Sequence, residues 1–398
     1  VDQEKLRAWW ASKQGLLTED TSLTVGQVFS RYGWCRSVAG CNPYLTAFSR
    51  SGHSRTSVDD AVRELEISEL PAARSCTYIV PRADFSVALT LAENNGAGEK
   101  RTAIQLGATP QELDLLCEKT LLALKDGPLD PAGLKPHLGD AIRNFGEEGK
   151  KKGLGTSLPV ALGILQAQGK IVRRPVSGRL DEQRYQYEAW ADNPPRPEDF
   201  SSQSALVILA EHFFRWIGPA TLGEFSQLAG ISNKRAKEAV LRLGLVSLPD
   251  DPEKLFLPQE IDSFQSFSAP KEPIYRLVNR LDSLILLHDD YSVLLSADSL
   301  KKMMELQIGT TPGRAFNELG YNPILDRGSV VGLWEFDANR QEIVSSLFGQ
   351  EDAALSSEIA KTEIFVRDQL GDARTFSLDS PKSRQPKIDR LRAKLAQI

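Results

Sequence analysis

The chain is 398 residues long, 41% hydrophobic and 25% charged, with a formal net charge of −5. That balance excludes a disordered chain and a uniformly basic nucleic-acid coat, and the length asks for about two to four domains. No apolar run approaches the roughly 18 residues that a membrane span needs, and the four cysteines (Cys35, Cys41, Cys76, Cys117) form no closely spaced pair. No membrane partner, metal centre or cofactor is therefore expected. The charged start, Val1–Lys13, does not read as a secretory leader, so a reducing cytoplasm and free thiols are the expectation.

In chain order, residues 1–98 form a first unit with helices Gln3–Lys13, Thr24–Tyr32 and Ser57–Glu66 and a strand Cys76–Val80. A linker is expected at Asn94–Lys100. Residues 103–195 form a second unit. Apolar residues at helical spacing (Leu113, Leu116, Cys117, Leu121, Leu124) predict a helix over Thr109–Lys125, stopped by Gly127-Pro128. Asp130-Pro131 supplies a cap and first residue for a short helix, and Thr156-Ser157 caps a third, Leu158–Gln168, after a polar loop 143–155. Lys170–Val176 and Arg184–Trp190 read as a two-stranded ribbon. Three helices followed by a ribbon is the order of a winged helix. It recurs over 203–258, with helices Ser204–Ile217, Thr221–Leu228 and Ser232–Leu243 and strands Leu245–Leu248 and Leu255–Leu257. Both copies place Gly-Pro after the first helix.

Beyond residue 270 the apolar period becomes two. Ile274–Val278, Ser283–Leu287, Ser292–Leu295, Ile324–Asp326, Val330–Phe336 and Ile343–Phe348 read as strands of a small β-rich, barrel-like domain, 270–348. Residues 350–398 hold a helix, Ser356–Leu370, and a basic tail, partly disordered or a short helix. Asn193–Ser202 and Asp250–Glu253 read as linkers. The fold class is α+β, with tandem winged-helix units, three if the first unit is counted, and the small β domain behind them.

The strongest chemical signal is charge. Lys150, Lys151, Lys152, Lys170, Arg173, Arg174, Arg179 and Arg184 stand against only Asp181 and Glu182 in a chain that is negative overall. In a winged helix this window is the loop into the recognition helix and the wing, which meet the groove and its phosphates. Thr156 and Ser157 would offer hydroxyl and N–H groups to a phosphate. The helix between them, rich in Leu and Ala, offers only Gln166 and Gln168 to a base edge, so backbone or shape recognition of double-stranded DNA is expected rather than an operator. Arg36, Tyr44, Arg50, Arg143 and Gln183 complete the candidate contacts. Glu147 and Glu148 beside a phosphate surface read either as water-activating groups or as partners of Lys150–Lys152. The Arg179–Tyr185 segment reads either as a charged hairpin turn or as a minor-groove probe. Gly33–Tyr44 packs small residues, aromatics and Arg36 around a turn that suits close approach to a ligand.

Asn42-Pro43-Tyr44-Leu45 with Phe48-Ser49-Arg50, Gly218-Pro219-Ala220-Thr221, Arg280-Leu281-Asp282 and Gly328–Trp334, in that order, resemble the AlkZ/YcaQ-type winged-helix DNA glycosylase family over most of residues 1–348. The resemblance implies a C-shaped array of three tandem winged helices with a small β-barrel, and excision of alkylated purines or unhooking of interstrand crosslinks. The family motif, Gln-x-Gln or Gln-x-Asp, is replaced by Arg36-Ser37-Val38. An oxocarbenium-like transition state wants an amide or carboxylate, and Arg36 is the opposite. The polar group is then expected from Asn42, Glu147, Glu148, Asp181 or Glu182. The alternative is a non-enzymatic winged-helix DNA-binding protein. A monomer is expected in either case.

Overall fold

The structure is a computed structural model that describes residues 2–95, 97–182, 184–191, 200–305 and 320–395. Its described residues make an α+β protein with four small antiparallel sheets among many helices. The first stretch contains α1 (Gln3–Lys13), α2 (Val25–Tyr32), β1 (Cys35–Arg36), α3 (Asn42–Ser51), α4 (Arg55–Arg63), β2 (Ile67–Pro71), β3 (Thr77–Pro81) and α5 (Phe85–Asn95). β1, β3 and β2 form a sheet in that order. α1 starts where Asp2 accepts from Glu4 N–H, and α2 starts at a reciprocal Thr24/Gln27 capping box.

The second stretch is α6 (Ala97–Gln105), α7 (Pro110–Ala123), α8 (Pro131–Leu138), α9 (Gly146–Lys151), α10 (Leu158–Ala167) and the ribbon β4 (Ile171–Pro175) with β5 (Tyr185–Ala189). Its caps follow from sequence: Thr109 and Glu112 form a capping box, and Asp130 accepts from Gly133 N–H at 2.7 Å. Leu116, Leu134, Leu158, Leu162, Leu165 and Ile171 give it a core of its own. The third stretch repeats helix, helix, helix, ribbon: α11 (Ser202–Ile217), α12 (Leu222–Ala229), α13 (Asn233–Val240), β6 (Val246–Leu248) and β7 (Asp251–Phe256), followed by α14 (Ile261–Ser266).

The last stretch has β8 (Tyr275–Leu277), α15 (Ser283–Leu286), α16 (Ala297–Glu305), β9 (Asn322–Asp326), β10 (Ser329–Asp337), β11 (Glu342–Leu347), α17 (Ala353–Phe365) and α18 (Pro381–Leu395). Its sheet runs β11-β10-β9-β8. β9 and β10 turn through Arg327 and Gly328 at φ 46 and 84, and a Cβ on Gly328 would lie 2.2 Å from the Arg7 carbonyl oxygen of α1. One continuous core joins α1, α5, α11–α14 and this sheet, and a second joins α2–α4 to its other face.

Several expectations fail for local reasons. Ser283–Leu287 is helical because Asp282 caps it, accepting from Leu284 N–H at 3.0 Å; its apolar run is buried on all sides and carries no readable period. Ser292–Leu295 lies in a 3₁₀ turn, Tyr291–Leu294, capped by Asp290. Asn94–Lys100 is helix rather than linker on both sides of Gly96, which is outside the described residues. Most of the Asn193–Ser202 linker also lies outside them. The loop 143–155 contains α9, and Asp250–Glu253 enters β7. Ser157 does not cap α10; its Oγ accepts from Arg143 N–H at 3.0 Å instead. The two Gly-Pro pairs are not equivalent, since Gly127 turns at φ 138 while Gly218 has φ −54 and a cis bond to Pro219. The basic tail is α18, whose cations hold it to the sheet: Arg392 pairs with Asp337 at 2.7 Å and Arg384 lies 3.8 Å from Glu335.

Candidate catalytic site and nucleic-acid interface

The guanidiniums of the β4–β5 ribbon are not a free phosphate-binding row. Arg173 faces Glu69 of β2, with Nη2 3.3 Å from Oε2, and its plane lies over Tyr185 at 4.2 Å. Arg174 pairs with Glu188 and donates to the Val62 and Arg63 carbonyls at 3.2 and 2.9 Å. Arg179 grips Asp181 bidentately at 2.9 and 2.7 Å and also donates to Leu370 O. The expected minor-groove probe is thus folded back on the protein. Leu180 is fully buried and its N–H donates to the Tyr44 hydroxyl, while Arg374 reaches the Asp181 carbonyl. Asp181 is consumed in that turn, and Glu182 flanks the same guanidinium at 3.7 Å. Arg184 is exposed; Gln183 lies outside the described residues.

The expected contacts in the first stretch are joints. Arg50 has no exposed surface and holds Asp282 through two 2.8 Å bonds, with Gln14 Oε1 at 3.3 Å. Asn42 is buried, and its amide donates to the Arg36 and Leu281 carbonyls, both at 2.9 Å. Tyr44 donates to Asp59 at 2.6 Å, and burial followed by Asp59 raises its hydroxyl far above the ordinary range. A group so bound has no hand free for DNA or water. Two of the motifs behind the family resemblance, at 42–50 and 280–282, therefore meet as a packing seam.

Around α9, Glu147 and Glu148 are exposed partners of Lys150 and Lys152 at 2.7 and 3.4 Å, the surface-pair reading rather than the water-activating one. Lys151 is exposed. Arg143 pairs with Glu112, Thr156 bridges to Asn144, and Ser157 is buried. α10 packs against α7, α5, β2 and β4, so its surface is mostly covered.

What the sequence did not single out is Glu69. It stands in the run Ile67-Ser68-Glu69-Leu70, and all four of these residues are buried. Across the sheet it faces Ile79, which faces Cys35; Leu70, Tyr78 and Arg36 make the next row and point to the opposite side. Ser37, the middle residue of the replaced motif, donates its hydroxyl to Glu69 Oε1. Among the described residues Oε2 has no hydrogen-bond partner, and it lies 3.3 Å from Arg173 Nη2. Burial, then Glu69, raises the Tyr185 hydroxyl well above its usual range. A carboxylate, a hydroxyl, a guanidinium and a phenol thus converge between the β1–β3–β2 sheet and the ribbon. Such a group can offset positive charge and orient a water. Arg36 takes no part; its guanidinium lies over Tyr78 at 5.6 Å. The only sequence signal for Glu69 was one acid inside a strand-like run.

Among the described residues no three His, Cys, Asp or Glu side chains are gathered to hold a metal ion, and no helix is long and apolar enough to cross a membrane.

The model of the AlkZ-like DNA glycosylase family matches residues 39–363. Among solved structures, a Streptomyces sahachiroi DNA glycosylase AlkZ superposes with a TM-score of 0.71 at 18% identity, covering 94% of this chain and 98% of that one. No curated protein sequence matches.

Proposed function

Because the chain belongs to the AlkZ-like DNA glycosylase family, we propose that it hydrolyses the N-glycosidic bond of alkylated or crosslinked purines in double-stranded DNA, with Glu69 as the working carboxylate. The observation that carries this reading is the Glu69 cluster, which provides the polar group that Arg36-Ser37-Val38 lacks in sequence. A flipped nucleotide entering between sheet and ribbon draws Arg173 onto its phosphate. Glu69 is then released to stabilise the oxocarbenium-like sugar and to hold the water that attacks it, with Ser37 fixing its orientation. Damaged purines already carry weakened glycosidic bonds, so a modest electrostatic gain suffices. The helix–helix–helix–ribbon stretches act as tandem winged helices around the duplex, with the β8–β11 module behind them. The protein works as a monomer in the bacterial cytoplasm, a setting that its free thiols suit.

The test is incubation with duplex DNA bearing 7-methylguanine or a nitrogen-mustard crosslink, followed by alkali to reveal abasic sites. The protein forms them, and Glu69→Gln slows their formation by about a hundredfold per folded molecule, the scale of one electrostatic group at a transition state, when assayed well below the variant's melting temperature, which falls because Arg173 loses its charge partner. A Glu69→Gln variant with full activity removes Glu69 from the chemistry. No product from the wild-type protein removes the enzyme.

The second reading, a non-enzymatic DNA-binding protein, is favoured by one observation: Glu69 is buried and already faces a counter-charge, Arg173, at 3.3 Å. Duplex binding without any abasic product selects it.

A further inference from the structure

With Arg173, Arg174 and Arg179 occupied internally, a cluster of free positive charge has to be sought elsewhere. It lies on α13. Ala236 and Ala239 are buried against the neighbouring helices, while Asn233, Lys234, Arg235, Lys237 and Glu238 are exposed, as are Leu241 and Arg242 just beyond. Among the described residues none of Lys234, Arg235, Lys237 and Arg242 has a carboxylate within ion-pair distance, in contrast to Arg173, Arg174 and Arg179. Four cations without an ion-pair partner among the described residues, against Glu238 on the same exposed face, match a polyanion.

The face is also placed with respect to the candidate site. α12, the Gly230-Ile231-Ser232 turn and α13 form a helix-turn-helix, begun by Ser232 accepting from Arg235 N–H. Gly230, at φ 67, lies so close to Arg74 that a Cβ there would be 2.9 Å from its Cγ. Arg74 is itself exposed, at φ 56, in the turn that joins β2 to β3. It acts on Tyr78 of β3 together with Arg36. The hairpin that carries Glu69 on one face therefore carries Arg74 at its tip, against the start of the α13 surface. Arg74 extends that surface toward the hairpin.

We infer that the exposed face of α13, with Arg74 beside its entrance, is the phosphate-binding surface that holds duplex DNA while the β2–β3 hairpin presents Glu69. The inference rests on the proposed DNA substrate. It moves the principal duplex contact from the second helix–ribbon stretch to the third, where α13, unlike the covered and apolar α10, has polar side chains to offer. Sequence-independent backbone contact is expected, since Lys and Arg here act as cations toward phosphates.

Binding of an undamaged fluorescent duplex is followed by anisotropy over a range of NaCl concentrations. The triple variant Lys234→Ala/Arg235→Ala/Lys237→Ala loses close to three units from the slope of log K against log salt, about 0.9 per phosphate contact removed. A parallel Lys150→Ala/Lys151→Ala/Lys152→Ala variant keeps the wild-type slope. Lys234→Gln alone loses about one unit, which serves if the triple variant folds poorly. Wild-type slope in a folded α13 variant, or a loss confined to the α9 variant, overturns the inference and leaves the glycosylase reading standing. Wild-type protein that binds no duplex at any salt sinks the DNA substrate itself.

Discussion

Arg50 was expected to meet DNA, and the structure makes it a buried joint, so its replacement should be read in stability. In Asp282→Leu the buried Arg50 guanidinium loses both 2.8 Å bonds and keeps Gln14 at 3.3 Å and Ser49 at 3.2 Å. An uncompensated buried charge of this kind costs about 3–5 kcal/mol. Asp282 also caps α15 through Leu284 N–H, which adds roughly 1 kcal/mol. Arg50→Met leaves Asp282 unpaired and costs a similar amount as the pair itself, about 3–5 kcal/mol. The double variant Arg50→Met/Asp282→Leu removes both charges and fills the space with apolar groups. It should recover most of the loss, ending within about 2 kcal/mol of wild type, because the desolvation penalty disappears along with the attraction. Urea unfolding followed by tryptophan fluorescence measures all three, with Trp216 close at hand through its carbonyl bond to Gln14. Duplex affinity per folded molecule stays at the wild-type value throughout. Single variants costing under about 1 kcal/mol, or a double variant whose loss equals the sum of the two, would refute the reasoning. A selective loss of DNA affinity in folded Arg50→Met would return Arg50 to the interface.

Other outcomes follow from buried titratable groups. Burial pushes Glu335 up to about 7 despite Lys387, Arg384 and Arg280 around it. The folded state then binds the extra proton between the unfolded carboxylate range, near 4.5, and about 7, so stability falls as pH rises across that window. Glu335→Gln should flatten that slope in denaturation curves taken from pH 4.5 to 8, and an unchanged slope argues against a protonated Glu335. Burial raises the Cys35 thiol to about 12 and the Cys117 thiol to about 11, and raises Cys41 further still. A chromogenic disulfide reagent at neutral pH should label the half-buried Cys76 promptly and the other three only on unfolding; rapid labelling of all four contradicts the packing around α3 and α7.

Much of the local structure was legible because its causes are local. Thr109 and Glu112, Asp130 and Pro131, Thr221 and Glu224 lie within one helical turn of each other, and each began a helix as the spacing predicts. The ribbon β4–β5 followed from two β-prone runs around a turn. What could not be read was which distant carboxylate an arginine would meet. Arg173 finds Glu69, Arg50 finds Asp282 and Arg392 finds Asp337, all across large sequence separations, and a charge count along the chain treats each of them as free. The dense window at 150–184 therefore outranked the sparser α13, although density matters less than whether a partner is in reach. Glu69 was hidden for the reverse reason. Its neighbours in sequence announce a core strand, while its chemical neighbours, Ser37 and Arg173, come from other elements.

The docking of α1 has a consequence for biogenesis. The Trp9 and Trp10 indoles donate to the Gly218 and Pro219 carbonyls at 2.7 and 3.1 Å, and Arg7 donates to Ser329 Oγ at 2.8 Å. None of those acceptors exists when α1 leaves the ribosome. At roughly 5–20 residues per second, the first helix waits on the order of tens of seconds with two tryptophans uncovered. During synthesis α1 is thus a segment for a holding chaperone to cover until acceptors 209 residues downstream have been made.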